Sequence, residues 1–133
     1  DSVIKLYLKD IEKIFKKHAS GSDLIPLKNR LYSFSSWLYL IQQCNIKISE
    51  RTLKIIFGQS KTQNNIDVLD ELYDPKNLYF MEFTEAIVRC AFYQRKEALE
   101  NGISDQGGLT PNRIADDVES IIKIMKVFAS KKG

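Results

Sequence analysis

The side chains best suited to chemistry in this chain are Glu71 and Glu82, His18, the pair Cys44 and Cys90, and the acidic run Asp116, Asp117 and Glu119. Glu71 and Glu82 bracket a 12-residue window, the length of a calcium-binding EF-hand loop. Such a loop needs side-chain oxygens at positions 1, 3 and 5, glycine at 6 and a bidentate glutamate at 12. With Glu82 at position 12, positions 1, 3, 5 and 6 are Glu71, Tyr73, Pro75 and Lys76. Only the two glutamates could bind metal, and a lysine takes the glycine turn. The corresponding upstream window ends at Ser36 and places Ile25, Leu27, Asn29 and Arg30 at those positions, with no carboxylate. The loops are also too long. About 13 residues separate the entering aromatic from position 10 in a standard unit, whereas Phe15 to Phe34 spans 19 and Phe57 to Phe80 spans 23. No calcium, no other metal and no cofactor is therefore expected. Glu82 is explained as a first-turn carboxylate that suits the helix dipole.

The other candidates have structural explanations. His18 is the single histidine and stands beside Lys16 and Lys17 at the end of a helix, where a solvated cation suits the negative dipole end. One histidine leaves His-dependent catalytic schemes without a partner. Cys44 and Cys90 have no further ligands at zinc-site spacing and are expected as small buried residues near helix ends. Asp116, Asp117 and Glu119 fall in the early turns of a helix, on an expected exposed face. Gly107-Gly108 lacks the G-x-x-x-x-G-K-[ST] phosphate frame. No catalytic residue is assigned, and the chain is not expected to be an enzyme.

The elements that must position these residues come from a repeat. Tyr32–Cys44 and Leu78–Cys90 match at a constant offset of 46: Phe34 to Phe80, Trp37 to Phe83, Ile41 to Ile87, Cys44 to Cys90. A shorter repeat precedes each copy, IEKIF at Ile11–Phe15 and LKIIF at Leu53–Phe57. The apolar residues recur at helical spacing. The expected fold is all-α: two degenerate EF-hand-like helix–loop–helix units, joined by a minimal two-stranded contact near Tyr32 and Leu78, plus an extra C-terminal helix. A single domain covers residues 1–133, with unit one about 3–46, unit two about 49–101 and the last helix about 110–130.

In detail, a first helix is expected over Val3–Lys17, stopped by Ser20–Asp23. The following loop, with Leu24, Ile25, Pro26 and Leu27, is expected to pack down. Ser33 and Ser49 serve as N-caps for the second and third helices; the second ends near Asn45 and the third at Gly58. Ile66, Leu69, Leu72 and Tyr73 are spaced for one or two further turns, broken by Asp74-Pro75. The fourth helix runs from Phe80 to Asn101-Gly102, with a polar outer half, Gln94–Glu100, prone to fray. Ser104–Gly108 is a connector. Thr110-Pro111 starts the last helix, which aligns Ile114, Val118, Ile121, Ile122, Met125 and Phe128 on one face. So apolar a face is costly to leave in water, so internal packing is expected, with an outward position that leaves the groove for a partner as the alternative.

Composition narrows the class. At 44% apolar and 28% charged residues the chain is an ordinary globular domain, too apolar for disorder. A formal charge of +3 without a dense basic stripe gives no reason to expect nucleic acid. No apolar run approaches the ~20 residues of a membrane span, no signal peptide is read, and no membrane partner is expected. Two cysteines suit a reduced, cytoplasmic setting. The chain opens on Asp1, as a domain excised from a longer protein would.

The order of motifs resembles the core of the tubulin polymerisation-promoting protein family, a degenerate EF-hand-like helical domain. Ile11–Phe15, Trp37–Cys44 with Asn45-Ile46, Thr52–Phe57 and above all Tyr79–Ile87 (YFMEFTEAI) carry the likeness, over about residues 8–93. The phrase F-x-E-A-[IL]-x-R-x-A is also similar to the end of units in ciliary and cytoskeletal EF-hand-like proteins. The chain departs from the family in a longer Gln59–Asn77 insertion, in a last helix with no clear counterpart and in lacking the glycine- and lysine-rich tail. The resemblance implies a non-enzymatic, calcium-independent protein-interaction module, associated with microtubules, the cytoskeleton or a cilium, with tubulin or a ciliary or cytoskeletal protein as partner. A calcium-responsive sensor, or a regulatory or dimerisation domain of a larger protein, are the alternatives. The residues expected to contact the partner are Lys123, Met125, Lys126, Phe128, Lys131 and Lys132. A second basic cluster, Lys13, Lys16, Lys17, Lys28 and Arg30, is expected as a solvated face, since 20 basic residues must sit somewhere, with a surface for an acidic partner such as a tubulin tail as the alternative.

Overall fold

The computed structural model describes residues 2–19, 26–27, 30–64, 77–100, 102 and 111–130. Among the described residues, six helices and one two-stranded sheet follow in the order α1 (Ser2–Leu6), α2 (Leu8–His18), β1 (Tyr32–Ser33), α3 (Phe34–Gln43), α4 (Glu50–Asn64), β2 (Asn77–Leu78), α5 (Phe80–Glu100) and α6 (Pro111–Ser130). The fold is all-α with a minimal antiparallel strand contact, and Tyr32 pairs with Leu78 and Ser33 with Asn77.

Local signals set the boundaries. Ser33 caps α3 by accepting the Ser36 N–H at 3.1 Å, and Ser49 caps α4 by accepting that of Thr52 at 3.2 Å. Helix α3 ends in a Schellman motif. Asn45 takes a left-handed φ of 56°, its N–H donates to Gln42, and that of Ile46 donates to Ile41 at 3.2 Å. Gly102 stops α5 in the same way, with φ +79° and its N–H on the Leu99 carbonyl. The capping hydroxyl expected at Thr110, the turns expected at Ile66–Tyr73 and the connector Ser104–Gly108 lie outside the described residues, as do Ser20–Asp23, Leu24 and Ile25. Leu27 packs against the core as expected.

Three boundaries differ from the sequence expectation. The first helix is two, broken at Tyr7, whose backbone (φ −105°, ψ 16°) leaves the helical region while its hydroxyl donates to Glu119 on α6. The third helix does not stop at Gly58 but runs on to Asn64. The outer half of α5 is pinned rather than frayed. The Arg95 guanidinium clamps Asp117 of α6 with two bonds of 2.6 and 2.9 Å, and Thr52 donates to Glu97 at 2.5 Å. Asp117 and Glu119 thus make interhelical contacts instead of lying on a free face.

The repeat is a repeat of core positions. Trp37 and Phe83, Ile41 and Ile87, Cys44 and Cys90, Ile11 and Leu53, Ile14 and Ile56, Phe15 and Phe57 are all buried. The strand pair Tyr32–Leu78 joins two residues that the 46-residue offset makes equivalent, so a local two-fold relation passes through it. The aromatic packing obeys that relation. Phe15 meets Phe80 edge-on at 5.3 Å, and its counterpart Phe57 meets Phe34 edge-on at 5.1 Å. Each unit's first aromatic therefore locks onto the other unit's second helix. Helix α6 breaks the symmetry. It lies against α2 and α5 and buries Val118, Ile121, Ile122 and Met125, so its apolar face is turned inward.

Candidate functional site

The last turns of α2, the middle of α3 and the last turns of α6 converge on three rings. His18, Tyr39 and Phe128 stand with centroids 6.1 Å (His18–Tyr39), 6.2 Å (His18–Phe128) and 6.1 Å (Tyr39–Phe128) apart. Tyr39 is 49% exposed, and Ile124 and Val127, one turn or less from Phe128, are 44% and 58% exposed. An apolar strip therefore reaches the surface here, although the opposite side of α6 is core.

Among the described residues, lysines outnumber carboxylates around the strip. Tyr7 meets Glu119 and His18 meets Phe128, so α2 and α6 run in the same direction and their C-terminal ends lie together. Lys13, Lys16, Lys17, Lys123 and Lys126 are exposed. The chain has no acidic residue between 13 and 22 or between 120 and 133, and α3 has no charged residue at all. Asp10, 3.5 Å from Lys126, and Glu119, 3.8 Å from Lys123, mark the edge of the basic region. Lys16, Lys17 and His18 sit in the last turn of α2, where the helix dipole accounts for them. Lys123 and Lys126 lie before the last turn of α6, and the dipole does not account for them. His18 is exposed at the end of α2, as expected, but its charged form is disfavoured there. Burial against its neighbours, then the nearby Lys17 charge, push its pKa below the ordinary 6.5.

Of the residues expected to contact a partner, Lys123, Lys126 and Phe128 lie in this region. Met125 does not. It is fully buried, because it falls on the core-facing side of α6 with Val118 and Ile122, and so it holds the helix down instead of touching a partner. Lys131 and Lys132 lie outside the described residues, as does Lys28. Arg30, expected in the basic cluster, is only 4% exposed and belongs to the interior. Tyr39 and His18 were not legible as surface contacts, because their approach to Phe128 depends on how α3 and α6 pack. The signal within reach was that Tyr39 falls off the Trp37–Leu40–Ile41 stripe.

A second polar centre lies within the second unit, between α4 and α5. Lys61, on the last turns of α4, is buried with Glu82. Its ammonium donates to Glu82 Oε1 at 2.6 Å and to the Asn77 carbonyl at 2.6 Å, and lies 5.2 Å from the centre of the Tyr79 ring. Glu82 Oε1 also accepts the Tyr79 N–H at 2.9 Å, the carboxylate half of a capping box at the start of α5. The first-turn role expected for Glu82 is present, and Lys61 is the partner that a helix ending at Gly58 would not supply. An open groove of about 670 Å³, lined by Ser33, Phe34, Ser35, Lys54, Phe57, Gly58 and Asn77, runs nearby.

Among the described residues no three His, Cys, Asp or Glu side chains gather in a way that could hold a metal ion, and no helix is long and apolar enough to cross a membrane. Cys44 and Cys90 are buried free thiols, and burial pushes the Cys90 thiol far above its usual range. Compared with protein-family models, curated proteins and solved structures, the chain matches none.

Proposed function

We propose that this chain is a non-enzymatic, EF-hand-like protein-interaction module that works without calcium and takes an acidic segment of a cytoskeletal partner, with a tubulin tail as the first candidate. The observation that carries the reading is the pole where α2, α3 and α6 meet: an apolar strip, the exposed Tyr39, Ile124 and Val127 with the half-buried Phe128, framed by lysines of which Lys123 and Lys126 reach Glu119 and Asp10 at its edge. Isolated solvated lysines need no partner. A strip of this kind costs free energy in water and gains it under a partner's apolar side chain, while the lysines select acidic flanks and speed encounter. The resemblance of the helix order to cytoskeletal EF-hand-like domains supplies the partner class.

Co-sedimentation with microtubules tests this. The wild-type chain is expected to pellet at low salt and to be released as salt is raised. The Lys13→Glu/Lys17→Glu variant and the Phe128→Ala variant are each expected to bind roughly tenfold more weakly or worse. No pelleting above background removes the microtubule as partner. Pelleting that neither variant weakens removes this pole as the site.

A further inference from the structure

We propose that the groove at the start of α3 is a second docking site, and that it takes a segment of a partner protein in which an aromatic side chain stands beside a carboxylate. None of its lining residues belongs to the apolar strip of the pole, and the inference does not depend on what that pole binds. The floor is the edge-on pair Phe34 and Phe57, with centroids 5.1 Å apart. Ser33, Ser35, Gly58 and Asn77 line the sides, with Lys54 as the cation. The volume of about 670 Å³ is that of a ligand site. The groove is open, which suits a chain passing over it better than a small molecule that must be engulfed.

The internal repeat shows what the groove lacks. The offset of 46 maps Ser33, Phe34 and Ser35 onto Tyr79, Phe80 and Met81, and the offset of 42 between the IEKIF and LKIIF motifs maps Phe57 and Gly58 onto Phe15 and Lys16. The aromatic floor is kept, since Phe80 meets Phe15 edge-on at 5.3 Å. Around it, two serines and a glycine stand where the related site carries tyrosine, methionine and lysine. Burial follows: Phe80 is 7% exposed, whereas Phe34 is only partly buried. A guest ring packed on Phe34 removes that apolar surface from water and extends the edge-on aromatic packing. Charge selects the rest of the guest. The first turn of α3 has no acidic residue, whereas that of α5 has Glu82, so the positive end of the α3 dipole is left for an outside carboxylate. Arg51, Lys54, Ile55 and Gly58 share one face of α4 by their spacing, and all four are exposed. Among the described residues Lys54 makes no ion pair, not even with Glu50 one turn away. Glu82, close to Asn77, is already paired with Lys61 at 2.6 Å and does not repel an anion.

Fluorescence anisotropy of a fluorescein-labelled peptide, with one phenylalanine between two aspartates in a glycine–serine chain, tests this on titration with the full chain. The wild type is expected to bind the probe saturably. Probes with the phenylalanine changed to alanine, or the aspartates to asparagine, are each expected to bind roughly tenfold more weakly. Ser35→Met installs the side chain that the related site carries. It is expected to keep its helical circular dichroism, since Ser35 is exposed, and to weaken the probe roughly tenfold by filling the groove. Lys54→Glu is expected to weaken the acidic probe to a similar degree and to gain a probe with lysines in place of the aspartates, a gain that an unfolded variant would not show. No saturable binding by the wild type, binding that Ser35→Met leaves unaltered, or binding that survives loss of the phenylalanine or of the aspartates, each overturns the inference. So does self-association of the wild type, seen in sedimentation, that Ser35→Met abolishes, because the occupant is then a second copy of this chain.

Discussion

His18 and Lys61 show how far a residue's role depends on what packs over it. Both are basic residues near the end of a helix, one beside a surface strip and one inside the protein. His18 stands among Tyr39 and Phe128, and burial and Lys17 lower its pKa. The folded chain therefore favours the neutral imidazole. The stabilisation this gives is fully present above the unfolded value of about 6.5 and is lost as the pH falls through the lower folded value. In an NMR titration of the imidazole the midpoint is expected below 6.5. Replacing Phe128 with alanine uncovers the ring, so the midpoint should move back up toward that value. A wild-type midpoint at or above 6.5 would contradict the packing of the three rings. The surface positive charge at neutral pH thus comes from the lysines, and the histidine contributes a ring face to the strip.

At the scale of elements, Gly58 separates what the sequence states from what tertiary packing decides. A glycine after Phe57 is a reasonable helix stop, yet α4 passes through it to Asn64, held on the far side by Ser60, Lys61 and the contacts of Lys61 with Asn77 and Glu82. A Cβ added at Gly58 meets no atom within 4 Å. Gly58→Ala is therefore expected to stabilise the protein by about 0.5–1 kcal/mol, since alanine lowers the entropy cost of a helical position without a clash. A matching fall in the melting temperature would mean that the helix ends where the sequence first suggests. The repeat, the serine caps, the Tyr32–Leu78 pairing and the inward face of α6 were legible because each is written in local spacing. The break at Tyr7, the extension of α4 and the buried Lys61 were not, because each depends on a partner far away in sequence: Glu119 for Tyr7, Asn77 and Glu82 for Lys61. The ring cluster was half legible. Phe128 and its lysines could be singled out, but His18 and Tyr39 join them only when three helices close.

At the scale of the molecule, α6 is both the third wall of the core and one side of the proposed binding pole. Val118, Ile121, Ile122 and Met125 are buried by its docking onto α2 and α5. At about 1.5–3 kcal/mol for each fully buried large side chain, those four contribute about 6–12 kcal/mol, as much as the entire stability of an ordinary domain. Docking is reinforced at three points along the helix: Asp117 to Arg95, Glu119 to Tyr7 and Lys126 to Asp10. Ending the chain at Gly102 is therefore expected to abolish cooperative unfolding and to leave a species that binds the apolar dye ANS, because the faces of α2 and α5 are then open to water. The alternative geometry, in which the helix is a detachable lid over a partner groove, makes the opposite forecast: a shortened chain that still melts cooperatively and binds its partner more tightly than the full one. Circular dichroism melting and dye binding on the shortened chain decide between a wall and a lid. The burial of Met125 and its neighbours, with an ion pair or hydrogen bond at each of three successive points, supports the wall.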